Sequence, residues 1–172
     1  MPSNSRFIAG FALVVCLSGV ALARAALPPD GKDGVVFMND EHPMMRKAFA
    51  RAKAGLEDFL ALARSPGKDH GGFALKVGLG ADGGTEYVWI VDFSSDKAGK
   101  FTGTINNDVE MTSKYKLGDL YSFTKEDIVD WTYFDRAKAK AYGNYTLCAL
   151  LSAEPEEEAA RVKAEYHLDC EI

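Results

Sequence analysis

Glu86 and Trp89 in Glu86-Tyr-Val-Trp89, with Asp130 and Trp131 in Ile128-Val-Asp-Trp131, are the side chains of this chain whose types and spacing could do chemistry. A carboxylate beside an indole face binds sugars or peptides, and two carboxylates can act as general acid and base in glycoside hydrolysis. The same residues also have a structural use: tryptophans fill small β cores, and a buried aspartate caps a turn or accepts from an indole N–H. Strand alternation places Glu86 with Val88 and Ile90, and Tyr87, Trp89, Val91 and Phe93 on the opposite face. The second set is the more apolar, so Trp89 is expected in the core and Glu86 on the outer surface. A groove past Glu86 would then use Asn106, Asn107 and Asp130 as hydrogen-bonding groups and Trp131 as an aromatic wall. These five form the candidate binding site, and no residue is assigned as catalytic.

Other chemistries find little support in the spacing. His42, His70 and His167 lack the paired intervals of a metal site, so no metal is expected. Gly78-Leu-Gly80-Ala-Asp-Gly83 matches the dinucleotide pattern in letters, but it lies between two predicted strands and opens no helix on which phosphates could rest, so no cofactor is expected either. There is no Gly-x-Ser-x-Gly elbow, and no histidine is adjacent in sequence to Cys148 or Cys170 to generate a thiolate.

The chain opens with Arg6, an apolar run over residues 7–20, and Ala21-x-Ala23-x-Ala25 ahead of Leu27-Pro28-Pro29. This is the pattern of a secretory signal peptide, too short for the roughly 20 apolar residues of a spanning helix. Removing residues 1–25 from the 172 leaves a mature chain of 147, enough for one hydrophobic core. No membrane span is expected after cleavage. The removed segment carries Arg6 and Arg24 and no acid, which takes the formal net charge from −5 to −7. Such a surface argues against nucleic acid as a partner. Cys16 leaves with the signal, and the two thiols that remain, Cys148 and Cys170, are expected to pair in an oxidising compartment.

The elements that must position the site follow from periodicity. Met45, Phe49, Ala52, Leu56, Phe59, Leu60 and Ala63 recur at helical spacing, with Asn39 or Asp40 as cap, Pro43 in the first turn and Ser65-Pro66-Gly67 as the stop. From Phe73 the period drops to two, through Leu75, Val77 and Leu79, and residues 86–93 answer across a glycine turn as the second strand of a hairpin. Further short strands are predicted over residues 100–105, 109–111, 120–123, 131–134 and 145–151, with one helical turn capped by Thr124. Residues 155–166 read as an amphipathic helix with Ala159, Val162 and Tyr166 inward, its glutamates at the positive end of the dipole. The fold class is α+β: a long N-terminal helix packed on a bent, mostly antiparallel sheet or half-open barrel, with a short C-terminal helix.

Across residues 40–151 the chain resembles the bacterial domain of unknown function 2314. The resemblance rests on Asp40-Glu-His-Pro-Met44, Ala54-Gly-Leu-Glu-Asp-Phe59, Glu86-Tyr-Val-Trp89, Phe101-Thr-Gly-Thr-Ile105-Asn106-Asn107, Leu117-Gly-Asp119, Ile128-Val-Asp-Trp131 and Gly143-Asn-Tyr-Thr-Leu147. Two positions depart from it: Tyr87, where the family commonly shows His, and Cys148, where it commonly shows Arg. The resemblance implies a small α+β domain and no agreed activity. The organisation expected is a signal peptide over residues 1–25, an extended lead-in over 26–39, a single domain over 40–151, and a C-terminal helix and tail over 152–172. The function expected is that of an exported, soluble, non-enzymatic binding module meeting a protein, peptide or envelope glycan in the periplasm. The alternatives are a carboxylate-based hydrolase of the cell envelope and an inhibitor or immunity protein.

Overall fold

Helical spacing gives way to strand spacing where Ser65-Pro66-Gly67 interrupts the chain. The structure, a computed structural model, describes residues 40–81 and 84–170. The expected signal peptide and most of the lead-in lie outside these residues. Helix α1 spans Pro43–Arg64 and buries Met45, Ala48, Ala52, Leu56, Phe59 and Leu60. Its cap is His42, whose Nδ1 accepts the Met44 N–H at 3.3 Å. The cap expected at Asn39 or Asp40 moves because Pro43, at the first helical position, has no N–H, so the first free donor falls within reach of His42. Asp40 instead accepts the Tyr87 hydroxyl at 2.6 Å, while Asn39 is outside the described residues.

Among the described residues six strands form one open antiparallel sheet in the order β4-β3-β2-β1-β5-β6, with β1 His70–Ala81, β2 Gly84–Ser95, β3 Phe101–Ile105, β4 Leu120–Phe123, β5 Ile128–Asp135 and β6 Lys140–Gly143. The sheet is open, which settles the expected alternatives against the half-open barrel. Leu75, Val77 and Leu79 of β1, Val88 and Ile90 of β2 and Ile105 of β3 have no solvent exposure and pack with Ala52, Leu56, Phe59 and Leu60 of α1. Burial of each such side chain contributes about 1.5–3 kcal/mol. The β2 face expected in the core is therefore reversed: Val88 and Ile90 face inward, and Trp89 is half-buried on the other side. The indole has a different task there, lying under the Lys76 ammonium at 5.6 Å. A bulge between Val91 and Ser94, with Asp92 at φ 49°, then resets the alternation. Phe93 turns back to the core, its ring 6.1 Å from Phe59.

Two predicted strands are not strands. Residues 109–111 belong to an irregular connection, because the backbone N–H groups of Glu110 and Met111 are taken by the Glu86 carboxylate, both at 2.9 Å. Residues 145–151 form helix α2, Tyr145–Leu151, burying Thr146, Cys148, Ala149 and Leu151. Gly143 at φ 83° and Asn144 at φ 55° swing the chain out of β6 immediately before it. A Cβ on Gly143 would sit 1.9 Å from the Trp131 carbonyl oxygen, so only glycine makes this exit. The single helical turn after Thr124 forms as expected, over Lys125–Asp127.

Helix α3, Glu156–Glu165, opens on Glu156, Glu157 and Glu158 and buries Ala159. Beyond it the tail lies along the outer edge of β6. The Ala141 N–H donates to the His167 carbonyl at 2.9 Å, Leu168 bridges Ala141 in parallel, and Asp169 pairs with Lys140. The expected disulfide joins Cys148 of α2 to Cys170 of the tail, with Cα atoms 5.3 Å apart. Among the described residues no helix is long and apolar enough to cross a membrane.

Candidate functional site

Trp131 organises the contact between α1 and the sheet. Its indole N–H donates to the Ala52 carbonyl at 2.8 Å, its ring stacks on Phe59 at 5.0 Å, and Tyr145 meets it edge-on at 5.4 Å. Such close approach needs a gap in the helix, which Gly55 supplies; a Cβ there would lie 2.8 Å from the indole Cζ2. A glycine inside a helix costs about 1 kcal/mol relative to alanine, and contact with Trp131 is the physical reason for it here. Beside this contact is a small cleft of about 220 Å³. Gly55, Asp58, Phe59 and Leu62 of α1 line one side, Trp131 and Tyr133 of β5 the floor, and Tyr145 of α2 the end. Tyr133 extends the aromatic layer by stacking on Phe73 at 5.6 Å and Tyr142 at 5.1 Å. Its phenol is held above its ordinary value, first by burial, and stays neutral at physiological pH. Asp58 is exposed at the rim and makes no hydrogen bond or ion pair among the described residues.

The five residues predicted to share a groove divide between the two faces of the sheet. Glu86 pairs with Leu79 in the register that carries Val77 and Val88, on the side facing the core. Both its carboxylate oxygens hold the connection over residues 106–119. Asn106 donates its N–H to the Trp89 carbonyl at 2.8 Å, and Asn107 accepts the Trp89 N–H at 2.7 Å while donating to the Asp108 carbonyl. These three residues fasten that connection to β2. Glu86→Gln, which turns one acceptor into a donor facing an N–H, is expected to cost about 1 kcal/mol. Limited proteolysis should then cut residues 106–119 faster, and an unchanged cleavage rate would remove this role from Glu86.

Asp130 lies on the opposite face in the cross-strand row Trp89, Lys76, Asp130. It has no solvent exposure and accepts the Trp131 N–H at 2.8 Å, the Thr146 N–H at 2.8 Å and the Thr146 hydroxyl at 2.7 Å. Lys76 completes the network by donating to the Thr146 hydroxyl oxygen at 3.1 Å. Burial raises the Asp130 carboxyl above the ordinary 3.8, against the bonds from Thr146 and Trp131 and the charge of Lys76. Burial also lowers Lys76, while Asp130 and Asp40 pull it back up. The network joins α2 to the sheet. Trp131, one residue on, faces α1 with 6 % exposure and reaches the cleft as its floor.

Asp58, Tyr133, Tyr145 and Lys76 did not emerge from the sequence reading. A signal for Lys76 was present, because it is the lone charge inside the apolar run from Phe73 to Leu79. The cleft had none, since its walls come from three separate elements. The histidines have separate contacts: His42 caps α1, His70 lies 3.7 Å from the buried Asp135 carboxylate, and His167 meets the Phe134 ring edge-on. Among the described residues no three His, Cys, Asp or Glu side chains cluster as a metal site requires.

Comparison with known proteins places this arrangement. The family described as uncharacterized protein conserved in bacteria (DUF2314) matches residues 42–170. The chain is 33 % identical over 132 residues to the uncharacterized protein YegJ of Escherichia coli (strain K12), covering 77 % of this chain and 83 % of that protein. No solved structure matches. The match runs from the cap of α1 to the disulfide, through every strand of the sheet, and the chain belongs to the DUF2314 family of bacterial proteins.

Proposed function

We propose that this protein is an exported, non-enzymatic binding module of the bacterial periplasm, and that its ligand seats in the aromatic cleft between α1, β5 and α2. The observation that carries this reading is the contrast between carboxylates. Glu86 and Asp130 lie on opposite faces, each committed to hydrogen bonds within the fold, whereas Asp58, at the rim of an aromatic cleft, is unpaired among the described residues. General acid and base work on a glycoside needs two carboxyl groups flanking one bond, about 5–10 Å apart in a shared cleft. One free carboxylate among rings suits recognition. Export is supported by the signal-like pattern of residues 1–25 and fits the pairing of Cys148 with Cys170.

Periplasmic material purified after expression of the full chain is expected to begin at Arg24 or Ala26; intact Met1 in a membrane pellet would overturn the export reading. The mature protein, immobilised and washed with fractionated envelope glycans and peptides, should retain a defined component that Tyr145→Ala, still folded by circular dichroism at the temperature of the assay, no longer holds. Equal retention by wild type and variant would remove the cleft from the reading. New reducing ends or new amines released from wall fragments would establish the hydrolase instead.

A further inference from the structure

The cleft has a chemical polarity that goes beyond its being a binding site. Its floor and walls are aromatic, from Phe59, Trp131, Tyr133 and Tyr145, with Leu62 beside them, and its charged lining residue is Asp58. Ring faces carry negative quadrupole potential, so aromatic walls and a carboxylate together favour a cation. The Tyr145 ring already attracts one, for the Arg51 guanidinium stands over it at 5.4 Å. Arg51, Gly55 and Asp58 follow one another along the same side of α1 at helical intervals. Gly55 lies between this cation and the Asp58 carboxylate, the place of its missing Cβ taken by the Trp131 indole, and the cleft lies beside it.

Size and shape narrow the class of ligand. At about 220 Å³ the cleft is smaller than the roughly 300–1,000 Å³ of sites for drug-sized molecules, and it suits one side chain. A saccharide ring needs an open aromatic face to lie on, and Trp131 at 6 % and Phe59 at 2 % exposure leave too little surface open for one. A four-carbon stem carrying a compact ammonium matches an apolar floor with one anion at its rim.

We propose that the cleft receives a lysine side chain presented by a peptide partner. Its stem lies against Phe59, Leu62 and Trp131, and its ammonium meets the Asp58 carboxylate beside the rings of Tyr133 and Tyr145. This rests on the reading of the cleft as the binding site and names what enters it.

The test uses the mature, oxidised protein and a pair of short capped peptides, acetyl-Gly-Lys-Gly-amide and the same peptide with norleucine, which keeps the stem and lacks the charge. The readout is the indole N–H resonance of Trp131, assigned against that of Trp89 with Trp89→Phe. The lysine peptide is expected to shift the Trp131 signal saturably, with a dissociation constant on the order of millimolar for one anchoring side chain. The norleucine peptide should bind at least about tenfold more weakly, and Asp58→Asn should weaken the lysine peptide about fivefold. The variant should melt with the wild type, since Asp58 has no hydrogen-bond or ion-pair partner among the described residues to lose. Equal binding of the two peptides would overturn the lysine assignment and leave an apolar binding cleft, with the proposed function intact. No shift with either peptide, or a shift confined to Trp89, would overturn the inference, and the Tyr145→Ala retention experiment then decides the binding reading separately.

Discussion

Cys170→Ser is expected to lower the stability of the protein by about 3 kcal/mol, and its melting temperature by roughly 10 °C. The bond closes a loop with a sequence separation of 22, and in the chain-entropy model its loss returns that freedom to the unfolded state. Serine at position 170 is the cleaner substitution, because Cys148 is 2 % exposed and remains behind as a small buried apolar group. The folded state loses something as well. The tail that bonds Ala141 and pairs with Lys140 is no longer held, and those contacts alone do not offset the order they require. Thermal unfolding of the wild type with and without a dithiol reductant should reproduce the shift. Coincident curves would show that the disulfide adds nothing to the stability of the fold.

Asp130→Asn is expected to cost about 2–3 kcal/mol at neutral pH, more than any surface substitution in this chain. Three donors converge on the carboxylate, from Trp131 N–H, Thr146 N–H and the Thr146 hydroxyl. An asparagine supplies one oxygen and turns its amide nitrogen toward an N–H, leaving a buried donor without an acceptor, and it removes the negative partner of Lys76. The loss should appear first at α2, as faster amide exchange over Tyr145–Leu151. The pH dependence has a definite sign. Since the folded carboxyl titrates above the unfolded value of 3.8, the unfolded chain ionises first as pH rises, and the wild type loses stability across that interval. The variant has no such group, so its deficit relative to wild type should be largest in acid and narrow toward neutrality. A melting temperature within a degree of wild type would show that the network is dispensable.

The parts of the fold that were legible in the sequence are those written in a single period. Met45, Ala52, Leu56, Phe59 and Leu60 share a stripe that no strand could bury, and Leu75, Val77 and Leu79 alternate without exception. The run over residues 145–151 is apolar throughout and seven residues long, a length and composition that a buried strand and a short helix have in common. What decides it is the left-handed turn at Gly143 and Asn144, a matter of backbone angle. The β2 face was misjudged for a different reason. Summed apolar character favoured Tyr87 and Trp89, but both are amphipathic: one delivers a hydroxyl to Asp40, the other shields Lys76, while the smaller Val88 and Ile90 fill the interior. The disulfide followed from counting thiols. The cleft did not, because Asp58, Tyr133 and Tyr145 become neighbours only when α1 lies across β5 and α2 closes the end.

The tail strapped along β6 also gives the molecule a sequence of completion. Cys170 comes after every described strand and helix in chain order, so the bond that fastens the tail can form only after all of them have been synthesised. Until then β6 is a bare strand border with free backbone donors, and such borders recruit strands from neighbouring molecules. Removing two electrons from these thiols fastens the cover over that border, and a reducing solution is expected to expose it to pairing between copies of this chain.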